Sequence, residues 1–382
     1  DTRVTLADGR EVEIQDLVES NLDDPKPVDD GMYDDVDVPL PSLEPDGTIA
    51  ERRATRVWKR EAPAKMYRVR TASGKEIEVT PSHPLFVRAS RGFVPLRADE
   101  LEEGEFVATP RTIPVDGDDV LDVEYRRSRA NNAVRLDLPE RWTPALARLV
   151  GYIVAEGWAT RREDYTGDVR ITNNDPEILA DVKSGLESLG LNYTVDGPRP
   201  GKSAKSIRCT SGEFVSFLEN LEPAILERSA DQRVPDALFG ATAGTKREFL
   251  RAYVDAEGHV SAKQRELSVA SMSRELLEGI QSMLLSFGIS TTIEPRTNGS
   301  YRLRIGGEAF QRYVEEIGFV TDRKSEAADA FDGTTANTNR DIVPDVGGDL
   351  RRIRTALALS QFDCGVPRTT YQHYERGDRN PS

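Results

Sequence analysis

Two short stretches carry the side chains best suited to chemistry, Leu149-Val-Gly-Tyr-Ile-Val-Ala-Glu156-Gly157 and Leu250-Arg-Ala-Tyr-Val-Asp-Ala-Glu257-Gly258. Each is an apolar helical run ending in Ala-Glu-Gly, so each delivers one carboxylate at a helix C-terminus. Two carboxylates placed this way meet each other's charge and the negative ends of two helix dipoles, and a cation relieves both. Magnesium suits such oxygen donors. It keeps several waters and takes phosphate oxygens into its shell, the arrangement for metal-assisted attack of water on a phosphodiester. A single Ala-Glu-Gly reads as well as a solvated Glu ahead of a glycine cap. Two of them at matched repeat positions favour a paired site.

The elements that must position these acids repeat with them, in units of roughly a hundred residues. Ile178, Leu179, Val182, Leu186 and Leu189 share one offset with Leu276, Leu277, Ile280, Leu284 and Phe287. Both sets have helical periodicity, start at N-cap signals (Asn174-Asp175-Pro176 and Ser273) and stop at Gly190 and Gly288. Thr143-Pro144 marks the start of the first acidic helix, and Thr245-Lys-Arg-Glu248 reads as a capping box opening the second. Strand-like runs follow at Asp168–Thr172 and Glu266–Ala270, and again at Ser206–Cys209 and Tyr301–Ile305. Each unit is thus predicted as helix, strand pair, helix, strand pair, helix. The alternation of Arg with apolar residues in Tyr301–Ile305 predicts a sheet with one buried and one basic face, suited to DNA phosphates.

The paired motifs resemble the signature helices of the LAGLIDADG homing endonucleases found inside inteins. The resemblance covers residues 141–330, as repeats 141–235 and 236–330, and implies an α/β fold of two pseudo-symmetric halves. It implies that the two helices pack side by side, with small residues (Gly151 and Ala155, Ala252 and Ala256) at their contact. Glu156 and Glu257 would be catalytic and hold Mg2+. Lys324 would assist beside the second acid, and its first-repeat counterpart would be Arg228, which cannot release a proton. Arg170, Arg208, Arg302 and Arg304 are the expected DNA contacts on the two sheets.

Residues 1–135 read as an all-β domain, with runs such as Tyr67-Arg-Val-Arg-Thr71 and Glu76-Ile-Glu-Val-Thr80 around a Ser73-Gly74 turn. The acidic, Pro-rich stretch from Asp23 to Gly47 reads as a mobile insertion. Asp1-Thr-Arg-Val-Thr-Leu-Ala-Asp-Gly-Arg10, Thr80-Pro-Ser-His83-Pro and Phe93–Arg111 resemble, in order and spacing, the N-terminal part of an all-β intein (Hint) splicing domain. That resemblance implies that His83 acts on the upstream splice-junction peptide and that Thr80 braces it. An imidazole exchanges a proton near neutral pH. The family also needs a nucleophile ahead of Asp1 and a closing His-Asn pair, whereas this chain ends Asn380-Pro381-Ser382. Self-splicing is therefore not expected of the chain as given, and the host exteins would be its partners in cis.

A thirteen-residue run, Asp349-Leu-Arg-Arg-Ile-Arg-Thr-Ala-Leu-Ala-Leu-Ser-Gln361, follows a linker at 331–347 rich in Thr, Asn and Gly around 333–340. With the segment up to Ser382 it resembles a phage-repressor helix-turn-helix over 348–382, a small all-α unit. Leu350, Ile353 and Leu357 share one helical face. Only Phe362-Asp363-Cys364 stands where that family has its second helix. The resemblance puts Arg368, Thr369, Gln372 and His373 towards the major groove.

Among 382 residues, 66 Asp and Glu outweigh 51 Lys and Arg, a formal net charge of −15. That sign opposes DNA binding in dilute salt. Abundant acids, with Arg in place of Lys, resemble proteins from organisms holding molar salt. There, screening over about 3 Å at 1 M leaves local geometry to decide where DNA sits. The absence of long apolar runs and of a signal peptide predicts a cytoplasmic protein without membrane partners. Two unpaired cysteines predict neither a disulfide framework nor a zinc site. The sequence thus reads as a multidomain intein piece. Its activity would be a staggered, Mg2+-dependent break in double-stranded DNA at a long site in the insert-free host gene, cut by a monomer with an internal two-fold. The rival is a non-catalytic LAGLIDADG plus helix-turn-helix regulator, or a decayed endonuclease.

Overall fold

A computed structural model describes residues 2–89, 92–115, 117–127, 135–162, 166–198, 201, 203–261, 263–331 and 341–381. The linker expected at 333–340 lies outside the described residues.

The amino-terminal region is strand-rich in small separate sheets. Strands β1 (Arg3–Thr5) and β2 (Glu11–Glu13) pair, followed by helix α1 (Ile14–Glu19). Strands β3 (Lys26–Val28), β4 (Gly31–Leu43) and β5 (Ile49–Arg60) form one antiparallel sheet in that order. The hairpins β6 (Tyr67–Arg70) with β7 (Glu76–Val79), and β8 (Pro84–Ala89) with β9 (Gly92–Arg97), complete it. The expected mobile insertion at 23–47 is therefore corrected to an ordered ribbon. Its acids are matched across the ladder, Asp35 by Arg56 at 3.0 Å and Lys26 at 2.7 Å, and Asp37 by Arg53. Pro39 and Pro41 fall where β4 has β5 on one side and lies beyond the β3 pairing, so no ladder bond is lost on that edge.

The two repeats have the predicted element order. The first comprises α2 (Pro144–Glu156), β10 (Gly157–Arg161), β11 (Gly167–Asn173), α3 (Pro176–Ser188), β12 (Tyr193–Asp196), β13 (Lys205–Thr210) and α4 (Gly212–Leu221). After α5 (Asp236–Phe239), the second comprises α6 (Ala243–Glu257), β14 (His259–Val260), β15 (Glu266–Ser271), α7 (Arg274–Ser286), β16 (Thr292–Pro295), β17 (Tyr301–Gly306) and α8 (Glu308–Glu316), then α9 (Asp322–Asp329). The sheets run β10-β11-β13-β12 and β14-β15-β17-β16, antiparallel and identical in order. One continuous apolar core joins the repeats, including Leu149, Ile153, Ile171, Leu250, Val254, Val269 and Leu303.

Local signals hold at most helix ends. Thr143, Asp175 and Ser273 each accept a backbone N–H at their helix start. Helix α6 differs: Thr242 is its cap, accepting from Thr245 N–H, and Thr245 itself is buried inside the helix. Asp119 fixes the choice from 123 residues away, accepting from the Thr242 N–H and hydroxyl, each at 3.0 Å. The amino-terminal region docks on the second repeat through Ile293 N–H to the Ser73 carbonyl and an Arg3–Asp236 pair at 2.7 Å.

At the carboxy end, α10 (Gly347–Ala356), a single 3-10 turn at Gln361–Asp363 and α11 (Arg368–Arg376) are held by an Arg354–Glu375 pair at 2.6 Å and a Tyr371 hydroxyl bond to the Leu350 carbonyl. Between these two helices the only regular element among the described residues is that one 3-10 turn, and Ile353 and Leu357 are exposed.

Candidate active site

Helices α2 and α6 lie side by side because small residues line their contact. A Cβ added to Gly151 would stand 2.7 Å from the Phe249 carbonyl oxygen and 3.0 Å from the Ala252 Cβ. Both helices are buried on nearly every face, from Leu146 to Val154 and from Phe249 to Asp255. An ion cluster ties their amino-terminal halves to α3: Arg148 pairs with Asp181 at 2.8 Å and Glu248 at 2.6 Å, and the Tyr152 hydroxyl donates to Asp181.

Glu156 and Glu257 are the last residues of these helices, both partly buried. The glycines after them are not left-handed caps. Gly157 and Gly258 are extended, with φ of −84° and −80°, and lead straight into the first strand of each sheet. A Cβ at either would stand 2.3 Å from the carbonyl of the preceding helical turn, Ile153 or Val254. Glycine is needed for that close approach, and it fixes each acid at the junction of helix and sheet.

The carboxylates act on each other electrostatically. Burial, then the charge of Glu156, raises the Glu257 carboxyl to about 7, against the opposing charge of Lys324. Burial also raises Glu156, offset by a hydrogen bond from the Asn173 amide and by Lys324. Asn173 was not foreseen as a site residue. Its Oδ1 also accepts the Asp175 N–H at 2.7 Å, and only that turn-forming role is visible in Asn-Asn-Asp-Pro.

Lys324 is buried on α9 and donates to the Val254 carbonyl at 3.2 Å and to the Asp255 carbonyl, at the C-terminal end of α6. Burial lowers its pKa, against the charge of Asp255, whose carboxylate lies 3.7 Å away. Asp255, also missed from sequence, is 1 % exposed. It accepts from the N–H groups of Val320 and Thr321 and from the Thr321 hydroxyl, which seats the turn carrying Lys324. Val154 occupies the matching place in α2, and Arg228 is exposed. The two acids therefore have different neighbours.

Arg170 and Arg208 face each other on β11 and β13, and Arg302 and Arg304 lie on β17. Neighbouring strands supply acids the sequence reading passed over. Arg208 lies 3.0 Å from Asp168, Arg170 lies 3.7 Å from Asp196, and Arg302 and Arg304 each lie 3.0 Å from Glu294. The sheet faces carry guanidinium groups that are largely charge-balanced. The Nε atoms of Arg170 and Arg302 are nonetheless buried with no acceptor among the described residues. Thr80 and His83 bracket one turn, where His83 N–H donates to the Thr80 carbonyl and His83 is exposed. On α11, Arg368 and Thr369 are exposed and Gln372 is half-buried.

Among the described residues no group of three His, Cys, Asp or Glu side chains gathers to hold a metal. Two partly buried carboxylates, both raised by burial and Glu257 further by the charge of Glu156, still fit a divalent cation whose shell is completed by water and a bound phosphate. No helix among the described residues is long and apolar enough to cross a membrane.

The model of the LAGLIDADG-like domain matches residues 143–222 and 244–318. The DNA-directed RNA polymerase subunit Rpo1C of Methanocaldococcus jannaschii is 25 % identical over 336 residues, covering 83 % of this chain and 38 % of that protein. The replication factor C small subunit of Pyrococcus horikoshii is 26 % identical over 334 residues, covering 86 % of this chain and 32 % of that protein. The chain thus spans well under half the length of these curated relatives. Among solved structures, the PabCDC21-1 intein is 35 % identical over 30 % of this chain and 71 % of that one, with a TM-score of 0.28. The I-DmoI protein in complex with DNA and Mn is 17 % identical over 46 % of this chain and 96 % of that one, with a TM-score of 0.36. The two repeats built around Glu156 and Glu257 are a LAGLIDADG-like domain.

Proposed function

We propose that this chain is a piece of an intein carrying a site-specific homing endonuclease, which makes a Mg2+-dependent double-strand break in the insert-free copy of its host gene. The observation that carries this reading is the pairing of Glu156 and Glu257, charge-coupled at the ends of two helices in van der Waals contact. Both acids are present, as cutting two strands requires. The relatives support the intein part: Rpo1C of an RNA polymerase and the small subunit of replication factor C have unlike tasks, yet each matches this chain over a minor share of its length. A segment shared by such proteins behaves as an insert.

In this reading the 141–330 unit is the endonuclease, 1–135 the splicing portion with Thr80 and His83, and 348–382 a helix-turn-helix reading DNA through Arg368, Thr369 and Gln372. A divalent ion, when bound by Glu156 and Glu257, supplies Lewis acidity at the scissile phosphates and an activated water. Asn173 orients the Glu156 carboxylate. Lys324, held by Asp255, presents a positive charge that acts on both acids and stabilises charge developing on the phosphate oxygens. Arg170, Arg208, Arg302 and Arg304 exchange carboxylate partners for DNA phosphates. The chain works as a cytoplasmic monomer, and its acidic charge suits a cell rich in salt.

The test is cleavage of DNA in which the host sequences flanking the insert are joined, in magnesium and high potassium chloride. Wild type should cut both strands, and Glu156→Gln and Glu257→Gln should each abolish double-strand cutting. Binding without cutting, unchanged by either substitution, would replace this reading with a non-catalytic DNA-binding protein.

A further inference from the structure

We propose that Trp158 is a DNA-contacting residue that sets specificity in the first half-site, an assignment that rests on the endonuclease reading above. Trp158 follows Glu156 by two positions and opens the sheet of the first repeat. Residues alternate along β10, so Ala159, at 2 % exposed, enters the core while the Trp158 indole, at 56 % exposed, is held out on the other face. Cross-strand pairing fixes what shares that face. Trp158 opposes Arg170, Arg170 opposes Arg208, and Arg208 opposes Thr194. A large aromatic therefore heads a row of two guanidinium groups.

The row is built to receive something. The Arg170 side chain is 30 % exposed, and its ion pair with Asp196 is a loose 3.7 Å, so its guanidinium is open to an acceptor that arrives with a ligand. Phosphate oxygen is the acceptor that arginine pairs favour. Phosphates on the guanidinium groups would lay the adjoining sugar and base edge on the indole, whose apolar face favours a thymine methyl group over a polar base edge. The matching row of the second repeat reads His259, Ser268, Arg304 and Thr292. His259 is exposed in the place of Trp158. The two half-sites thus present different side chains beside the two acids, which orients an asymmetric duplex on a pseudo-symmetric protein.

The test uses the full chain carrying Trp58→Phe, which leaves Trp142, buried at 4 % exposed, and Trp158 as the remaining indoles. It is titrated without divalent metal with the joined host duplex. Tryptophan emission should change on binding, and the change should vanish when Trp158→Phe is added. Trp158→Ala should weaken binding by about tenfold and relax discrimination among base pairs beneath the first repeat, while Trp158→Phe stays within about threefold. Trp158→Ala should not change the melting temperature, since the side chain packs on no core. Wild-type affinity in Trp158→Ala with no emission change at saturation would overturn the assignment. Failure of the wild-type chain to bind the duplex would overturn the endonuclease reading itself.

Discussion

Adding one methyl group at Gly151 tests whether the contact of α2 and α6 sets the geometry of the acid pair. The new Cβ would lie 2.7 Å from the Phe249 carbonyl oxygen, where ordinary contact begins at 3.4 Å, so it needs 0.7 Å more room. The neighbours are backbone and a Cβ, the Tyr253 nitrogen at 3.2 Å among them, and none is the end of a flexible side chain. The helices must move apart. Overpacking of this kind costs about 1–3 kcal/mol, set against a gain of up to about 1 kcal/mol from alanine's better helix propensity. A net loss of about 1–2 kcal/mol, in the middle of the resulting range, should lower the melting temperature of Gly151→Ala by about 2–8 °C, at about 2–4 °C per kcal/mol for a unit of this size. Gly185, on α3, is the control. Its added Cβ would meet Leu149 Cβ at 3.4 Å and the Ala145 carbonyl at 3.6 Å, which is ordinary contact. Gly185→Ala should raise the melting temperature by about 1–4 °C. Glu156 lies five residues beyond Gly151 on the same rigid helix, so the shift reaches the acid pair and should cost up to about a hundredfold in kcat/KM. Circular dichroism melts and plasmid cleavage on both variants decide the matter. Equal shifts of the two variants, or wild-type cleavage by Gly151→Ala, would refute the close-packed geometry.

The raised Glu257 carboxyl makes stability depend on pH: its contribution is complete below the ordinary value of 4.5 and is lost as pH rises through about 7. The metal-free melting temperature should fall across that window, Glu257→Gln should flatten the fall, and calcium should stabilise more above the window than within it. Lys324→Met should convert supercoiled plasmid to nicked circle while slowing linear product by about a hundredfold, and linear product at the wild-type rate would remove Lys324 from the mechanism. Burial pushes the Cys209 thiol up to about 12, whereas Cys364 is only partly buried. Ellman's reagent should therefore titrate a single thiol in the native protein and both in denaturant.

The repeat was legible because its signals are local. Caps such as Asp175 and Ser273 act within three residues, and the periods of α3 and α7 lie within one helix each. What sequence reading missed was made by partners far away in the chain. The Thr245–Glu248 box is a sound local signal, but Asp119 stabilises Thr242 as the cap one turn earlier. The acids of β4 suggest a solvated loop until β5 places Arg53 and Arg56 opposite them. The same holds for the sheets: alternating arginines were visible in β17, whereas the carboxylates of Glu294 and Glu266 that answer them come from other strands.

The duplication is most faithful where it packs and least faithful where it would touch a substrate. Asn173 and Ser271 hold the same turn, each accepting the N–H two residues on, at 2.7 and 3.0 Å. Asparagine has a second arm that donates to Glu156, and that donor offsets the burial of its carboxylate. For Glu257, desolvation and the charge of Glu156 meet only the opposing charge of Lys324. Lys324 in turn depends on Asp255, for which the first repeat has Val154. The charge of Lys324 acts on both carboxylates, whereas only Glu156 has the amide donor as well. In an endonuclease built this way the two strands are cut by unlike halves, so each half's defect should appear as a delay on its own strand.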